Sequence, residues 1–305
     1  MTPAVTVFTP TYNRAHLLGR AYESLRGQAA PPPFEWVVVD DGSTDGTAAL
    51  VGGWAEAAPF PVRYVRQPNG GKHTAVNRGV REASGELFLI LDSDDRLAPG
   101  ALATVWRHWT SVPAAARDGF AGVVGLCARP TGEVIGDAFP EPVLDTDVLE
   151  VRTRLRVRGD KAEVYRVDVL RAHPFPEDLG RFVTEGLVWN RIARRYRVRC
   201  VNEVVAFADY QSGGLSAQSV QLRAGAPRAA RLYYGELLGV DRALPLDVVA
   251  RAAANHARFS LHAGSPPWAG RPVKAGRWRR LVYAVSFPVG VALYLRDRRV
   301  LRRAA

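Results

Sequence analysis

Three carboxylates, at Asp92, Asp94 and Asp95, lie within four residues directly after the apolar segment 89–91. An apolar segment of this kind is typical of a buried strand. Carboxylates crowded at the end of a strand repel one another, which raises their pKa values unless a cation neutralises the charge. Divalent ions such as Mg²⁺ take oxygen ligands and often lie between a protein carboxylate and substrate phosphates. The segment therefore suggests a metal site for a phosphorylated substrate, although a solvated acidic loop has the same pattern.

The N-terminal third of the chain alternates apolar strands with helices, and these elements must position the acidic cluster. The pattern predicts strands over residues 4–9, 34–39, 62–65 and 87–91, and helices over residues 14–26, 44–57 and 74–83. Asn13 is predicted to cap the first helix. Strands and helices alternating at this spacing form right-handed βαβ units around a mostly parallel sheet, which binds ligands beyond the carboxyl ends of its strands. Farther along, the sequence predicts a strand pair over residues 122–135, a short strand over 164–166, and helices over 218–238 and 246–262.

Polar loops follow three of the predicted strands, over residues 9–14, 40–46 and 92–95. Each loop alone is explained by turn and helix-cap chemistry. Together, at one edge of one sheet, they predict a single ligand site. The chain contains neither G-x-G-x-x-G after the first strand nor a P-loop pattern, so dinucleotide-binding and P-loop folds lose their main support. Aspartate can still bind a nucleotide by accepting hydrogen bonds from a base or a ribose hydroxyl.

Four segments resemble, in order and spacing, the donor half of family 2 glycosyltransferases: VFTPTYNR, VVVDDGSTDGT, NGGKHTAVNRG and LILDSDD. A further match lies between residues 175 and 215. The resemblance implies the GT-A fold, an α/β architecture with a mostly parallel nucleotide-binding sheet flanked by helices, here followed by a C-terminal helical extension. It implies a donor-binding half over residues 1–100, an acceptor-binding and catalytic-base half of the same domain over 101–217, and a helical C-terminal region over 218–305.

The resemblance also implies which residues bind a nucleoside-diphosphate sugar, with UDP favoured as the nucleotide. The implied donor-binding residues are Thr9, Pro10, Tyr12, Arg14, Asp40, Asp41, Lys72, Asp92 and Ser93. Asp94, with Asp92, is the implied ligand of Mn²⁺ or Mg²⁺. Lys72 precedes a helix start, where backbone N–H groups favour an anion, but a flexible glycine turn with a solvated lysine has the same sequence. His73 beside it is expected to be structural.

The acceptor hydroxyl needs a base, and a carboxylate can take its proton. Residues 182–193 resemble the catalytic helix of the family, which places the base at Glu185. The family commonly has Glu-Asp there, whereas Gly186 follows Glu185 in this chain. The literal pair Glu177 and Asp178 therefore competes, with Asp178 as the second choice. The alternative role for Glu185 is to offset a helix dipole. The implied reaction is an inverting single displacement. The Q-x-x-R-W signature of processive synthases is absent, which implies one sugar per encounter.

The positive charge of the chain is concentrated at its C-terminal end. Net charge is +11, and residues 271–305 contain ten basic residues and one acidic residue. Within this tail, segment 281–295 is apolar on every side but shorter than the roughly 20 residues that span a bilayer. These features predict contact of 271–305 with an anionic membrane surface, the alternative being a buried helix pair. They do not favour nucleic-acid binding, because the charge is terminal and accompanies no recognition motif.

The expected location is cytoplasmic, peripheral on the inner face of the cytoplasmic membrane. Cys127 and Cys200 lie far apart and indicate no disulfide framework. The first strand begins near residue 4, which leaves no room for a secretory signal. A glycan or lipid-linked acceptor in polysaccharide or cell-envelope biosynthesis is consistent with this location. Two alternatives remain: a non-catalytic, membrane-associated sugar-nucleotide binder, and a sugar-nucleotide pyrophosphorylase, which would usually carry a glycine-rich basic loop after its first strand.

Overall fold

The computed structural model describes residues 2–209, 219–268 and 277–304, and it divides into two units. The first unit contains residues 1–175 and 191–211, and the second contains residues 176–190 and 212–305. The strands of the first unit are β1 (Val5–Thr11), β2 (Phe34–Asp40), β3 (Val62–Arg66), β4 (Leu87–Ile90), β5 (Arg96–Leu97), β6 (Phe120–Ala128), β7 (Val143–Thr146), β8 (Lys161–Arg166) and β9 (Arg197–Phe207).

The helices of the first unit connect these strands. They are α1 (Ala15–Arg26), α2 (Thr47–Ala57), α3 (Lys72–Glu82), α4 (Ala101–Thr110), α5 (Val148–Thr153) and α6 (Val167–Ala172), with a 3₁₀ turn over Ala114–Gly119. Helix α7 (Gly186–Ile192) begins in the second unit. The second unit continues with α8 (Ser219–Gly225), α9 (Pro227–Leu238), α10 (Leu246–His262) and α11 (Arg277–Ala304).

The described strands form one sheet in the order β3-β2-β1-β4-β8-β6-β9-β5, with β7 paired to β9. The neighbours β3-β2-β1-β4 are all parallel, as the alternation of strands and helices predicts. The other half is mixed, because β8 runs antiparallel to both β4 and β6 while β6 and β9 are parallel. Every residue of β1 and β2 is buried, which is typical of strands covered on both faces.

The predicted elements are observed with small shifts in their ends. Strand β1 continues to Thr11 because Thr11 still pairs with Asp40 of β2. The predicted strand pair at 122–135 is the long strand β6 followed by a turn with one bridge between Ala128 and Val134. The predicted helix 218–238 is two helices, and Pro227 begins the second, where its missing N–H costs no hydrogen bond.

The second unit has a helical C-terminal part in which α10 packs against both α9 and α11. The predicted apolar segment 281–295 lies inside α11, a single helix that includes Pro288. Of the helices in the described residues, none is both long and apolar enough to cross a bilayer. The last part of the further family match, residues 210–215, lies outside the described residues.

Candidate active site

The loops that follow β1 and β2 are joined by hydrogen bonds. The Asn13 N–H donates to Ser43 Oγ (2.8 Å), and Asn13 Oδ1 accepts from the Thr44 N–H (2.8 Å). Asn13 therefore does not cap α1 with its side chain, contrary to the sequence prediction. Asp45 of the second loop supplies that acceptor instead, because its Oδ2 takes the Ala15 N–H (3.0 Å). Each loop thus fixes the other at the carboxyl ends of β1 and β2.

Asp40 is fully buried at the end of β2, where its carboxylate binds groups of the neighbouring loop and strand. Its Oδ1 accepts from the Ser43 N–H (2.7 Å), and its Oδ2 accepts from the Tyr64 hydroxyl (2.5 Å). Burial, together with the hydrogen bond and negative charge of Asp40, raises the pKa of Tyr64 well above its usual value. Because Asp40 has no exposed surface, it acts here by holding the loop and Tyr64 in place.

The neighbouring residue Asp41 holds the glycine loop that precedes α3. Its Oδ1 accepts from Gln67 Nε2 (2.8 Å) and the Gly70 N–H (2.9 Å), and its Oδ2 accepts from the Gly71 N–H (2.8 Å). Gly71 has a φ of +96°, a left-handed conformation that favours glycine. The next residue, Lys72, begins α3. Asp41 therefore determines where Lys72 starts its helix.

The predicted residues of the first loop divide between core and surface. Thr9 is fully buried, and its Oγ1 accepts from Trp36 Nε1 (2.9 Å) in the core. Pro10 is also buried, in the strand pair with β2. Tyr12 is exposed at the end of β1. Of these three, Tyr12 presents the most surface to a ligand.

The two acids predicted to hold a metal are each paired with a cation from another loop. Lys72 Nζ lies 2.7 Å from Oδ1 and 2.8 Å from Oδ2 of Asp92. Arg14 Nη1 lies 3.0 Å from Oδ2 of Asp94 and 3.4 Å from Ser93 Oγ. The structure thus brings the predicted residues of the first, third and fourth strand-end loops together at one place. Three carboxylates with two cations remain short of positive charge.

The third acid, Asp95, shows the effect of that shortage. Burial, followed by the negative charges of Asp92 and Asp94, raises the pKa of Asp95 to about 8. Its N–H donates to the Asp92 carbonyl (3.0 Å), which closes the turn. Asp95 is therefore largely protonated at neutral pH, and a cation bound beside it would favour its charged form. In the part of the chain that the structure describes, no three His, Cys, Asp or Glu residues are grouped as metal ligands. Mg²⁺ is often bound through one or two protein carboxylates, with phosphate and water oxygens completing its shell.

The predicted base, Glu185, belongs to the second unit and lies directly before α7. Its carbonyl accepts the N–H groups of Val188 (3.0 Å) and Trp189 (3.1 Å), so the helix start holds its backbone. Trp189 is buried, which anchors this start in the protein. The competing acids Glu177 and Asp178 are exposed in a segment without regular structure.

Sequence reasoning missed several residues of the site. Tyr64, Gln67 and Asp45 each bind a loop that carries predicted donor residues. Tyr64 lies in β3 and Gln67 directly follows it, and β3 is parallel to β2. The sequence pattern could therefore have predicted that both residues lie near this edge of the sheet. Their hydrogen-bond partners could not be predicted from the sequence, because those partners depend on how the loops fold back.

Together, the parallel β3-β2-β1-β4 strands and the acidic, cation-paired loops beyond them define an α/β protein with a charged site at the carboxyl edge of its sheet. Residues 6–142 match the family model of Glycosyl transferase family 2. The match confirms the resemblance of the motifs to family 2 glycosyltransferases, and the chain has the GT-A fold that this resemblance implies.

Solved structures agree with this assignment of the fold. S. aureus TarS 1-349 in complex with UDP-GlcNAc has a TM-score of 0.61 and 21% identity, covering 92% of this chain and 79% of that chain. A mannosyltransferase of Pyrobaculum calidifontis, in complex with GDP-Man and Mn²⁺, has a TM-score of 0.57 and 24% identity, covering 97% and 88%. At these identities the likeness shows the fold alone.

The GalNAc(5)-diNAcBac-PP-undecaprenol beta-1,3-glucosyltransferase of Campylobacter jejuni is 29% identical over 196 residues, which cover 61% of this chain. The match spans 59% of the length of that relative.

Proposed function

We propose that the protein is an inverting, non-processive glycosyltransferase that moves one sugar from a nucleoside-diphosphate donor to an acceptor hydroxyl. The observation that carries this proposal is the pairing of Asp92 with Lys72 and of Asp94 with Arg14 at the carboxyl edge of the parallel strands. Such an edge is where α/β sheets bind ligands. The match of residues 6–142 to the glycosyltransferase family model supports the reaction class.

The donor is proposed to lie across the strand-end loops, with residues 1–100 as the donor half of the domain. Tyr12 is exposed and offers a ring to the nucleoside, while Asp40 and Asp41 hold the loops around it. Lys72 and Arg14 place positive charge where a diphosphate would lie. UDP is the favoured nucleotide, a choice supported by the UDP-GlcNAc complex of TarS.

Asp94, with Asp92, is proposed to hold Mn²⁺ or Mg²⁺. The charge shortage of the acidic turn supports this assignment, as does the Mn²⁺ named with the Pyrobaculum mannosyltransferase. A bound divalent ion supplies positive charge that stabilises a leaving diphosphate. The side chain of Ser93, which contacts Arg14, keeps that guanidinium at the same turn.

Glu185 is proposed as the base, within an acceptor half formed by residues 101–217. As the acceptor oxygen bonds to the anomeric carbon, its proton passes to the Glu185 carboxylate, and the bond from that carbon to the diphosphate oxygen breaks. Attack opposite the leaving group inverts the anomeric configuration. The helix start that holds Glu185 favours it over the exposed Asp178.

The acceptor is proposed to be a glycan or lipid-linked saccharide of polysaccharide or cell-envelope biosynthesis. The Campylobacter relative, whose name specifies an undecaprenol-linked acceptor, supports this class. We place the enzyme peripherally at the inner face of the cytoplasmic membrane, with residues 218–305 as the helical region that makes the contact.

Donor hydrolysis tests the proposed reaction. The full chain is incubated with Mn²⁺ and UDP-, GDP- or dTDP-sugars, and release of the nucleoside diphosphate is measured. Slow hydrolysis of one donor is expected, and it should disappear when the metal is chelated. Binding of a donor without release would identify a sugar-nucleotide binding protein instead. Neither binding nor release with any of the three nucleotides would overturn the proposal.

A further inference from the structure

Helix α11 turns its small and polar residues inward. Tyr283, Ser286, Gly290 and Asp297 are spaced as one helical stripe, and the structure buries this stripe against the rest of the second unit. A Cβ on Gly290 would lie 2.4 Å from the carbonyl oxygen of Ala254 in α10, so only glycine allows this approach of the two helices.

A buried ion pair determines which face of α11 is turned inward. Arg258 of α10 binds Asp297 through Nε (2.5 Å) and Nη2 (2.7 Å), and His262 Nε2 lies 3.1 Å from the same carboxylate. Tyr283, one end of the stripe, contacts His256 Nδ1 through its hydroxyl (2.9 Å). Rotating α11 about its axis would leave the Asp297 and Arg258 charges buried without each other, a costly arrangement.

The opposite face of α11 is apolar and exposed. Its residues are Trp278, Leu281, Ala284, Val285, Pro288, Val289, Ala292 and Leu295. Leu281 is 66% exposed and Val285 is 70% exposed. A surface helix normally turns its apolar stripe toward the core, and soluble monomers rarely expose a continuous apolar patch of this kind without a partner. We call this stripe the outer face of α11.

Basic residues flank the outer face at both ends of the sequence. Arg277, Arg279 and Arg280 precede segment 281–295, and Arg296, Arg298 and Arg299 follow it. The described guanidinium groups of this second cluster are exposed. The one acidic residue of the helix, Asp297, is buried and already paired.

These charges distinguish between two occupants of the outer face. If two copies paired along α11, in either direction, a basic cluster would lie beside a basic cluster, which is unfavourable. Anionic lipid headgroups complement both clusters at once. The apolar stripe, from Trp278 to Leu295, spans about 27 Å at 1.5 Å per residue, less than the roughly 30 Å of a hydrocarbon core. A helix of these properties lies in the plane of the membrane surface.

We propose that the outer face of α11 is the membrane-docking surface, lying flat in the interface of an anionic bilayer with its arginines on lipid phosphates. The inference rests on the proposed membrane location of the enzyme and adds the residues and the lipid class that make the contact. The inward polar stripe leaves α11 packed on α10 while its outer face enters the interface, so docking requires no unfolding of the helix pair.

Co-sedimentation of the full chain with vesicles tests this surface. Phosphatidylcholine vesicles are compared with vesicles that also contain phosphatidylglycerol, using the wild type and Val285→Glu. The matched control is Leu246→Glu at the start of α10, which places the same charge on a side chain 63% exposed in the same unit. Circular dichroism and thermal melting confirm that both variants are folded.

The wild type and Leu246→Glu should sediment with the anionic vesicles, and Val285→Glu should partition about ten-fold more weakly. The docking proposal is refuted if all three proteins sediment equally, or if the wild type does not sediment with the vesicles. If light scattering shows a dimer that Val285→Glu dissociates, and the wild type does not bind vesicles, the occupant is a second copy of the chain. That result would also refute membrane docking. Donor hydrolysis without vesicles is measured in parallel, and its absence with docking intact would refute the proposed reaction alone.

Discussion

Arg14 and Asp94 form an ion pair of 3.0 Å although 80 positions separate them in the sequence. Strands β1 and β4 are parallel neighbours, so the loops after them leave the sheet at the same edge. The pair, with that of Lys72 and Asp92, gives the site alternating charges before any ligand is considered. In the proposed reaction, these two cations would turn from the carboxylates to the diphosphate of the donor.

Asp94→Asn should decrease donor turnover by about a hundred-fold or more, because it removes the carboxylate proposed to hold the metal. Nucleoside-diphosphate release, titrated with Mn²⁺, measures the effect. Glu23→Gln is the control, since it removes an exposed acid that is also paired with an arginine, Arg26. Wild-type turnover and Mn²⁺ dependence in Asp94→Asn would refute its assignment.

Glu185→Gln should decrease the rate of sugar transfer by a factor of about 10² to 10⁴, as expected for loss of a general base. Donor affinity, measured by calorimetry with UDP-sugar, should be unchanged because the donor half is intact. Asp178→Asn serves as the matched variant and should remain active. If Glu185→Gln is active and Asp178→Asn is not, the base is Asp178.

Asp41→Ala should lower the free energy of unfolding by about 2 kcal/mol, since the half-buried backbone donors of Gly70 and Gly71 lose their acceptor. The same change should raise the donor KM, because Lys72 is no longer held at its helix start. Asp147→Ala is a close control: Asp147 also accepts two backbone N–H groups, from Leu149 and Glu150.

The control should lose about 1 kcal/mol of stability, as expected for a helix cap, but keep the donor KM. Urea unfolding and donor kinetics separate the two effects. An unchanged KM in Asp41→Ala would limit Asp41 to a structural role.

Glu203 should make the stability of the first unit depend on pH. Burial alone would raise its pKa, but hydrogen bonds from His108 and Arg107 outweigh burial and hold the pKa below its usual value. The unfolded state therefore binds the proton first as pH falls. The contribution of Glu203 is present above about pH 4.3, the unfolded value, and is lost as the pH falls through the folded pKa.

Thermal melts of the wild type and Glu203→Gln across this range measure the contribution. The difference between them should be below about 1 kcal/mol at neutral pH, since the carboxylate is partly exposed, and should shrink in acid. A difference that is the same at both ends of the range would show that Glu203 acts through packing rather than charge.

The sequence by itself determined the elements and the types of side chain at the site. Apolar periodicity and turn residues are local properties, so the parallel strands and the positions of Asp92, Asp94 and Lys72 could be predicted from neighbouring residues. The edge at which these residues meet follows from the carboxyl ends of parallel strands.

Tertiary structure alone decided the partners. Asn13 was expected to cap α1, yet its amide binds Thr44, because the loop after β2 folds back over it. Segment 281–295 is apolar on every side, so its sequence does not indicate which face of the helix is turned inward. The inward face is determined by the contact of Gly290 with Ala254 and by the pairing of Asp297 with Arg258. Such contacts depend on packing between segments distant in the chain, which local sequence patterns do not encode.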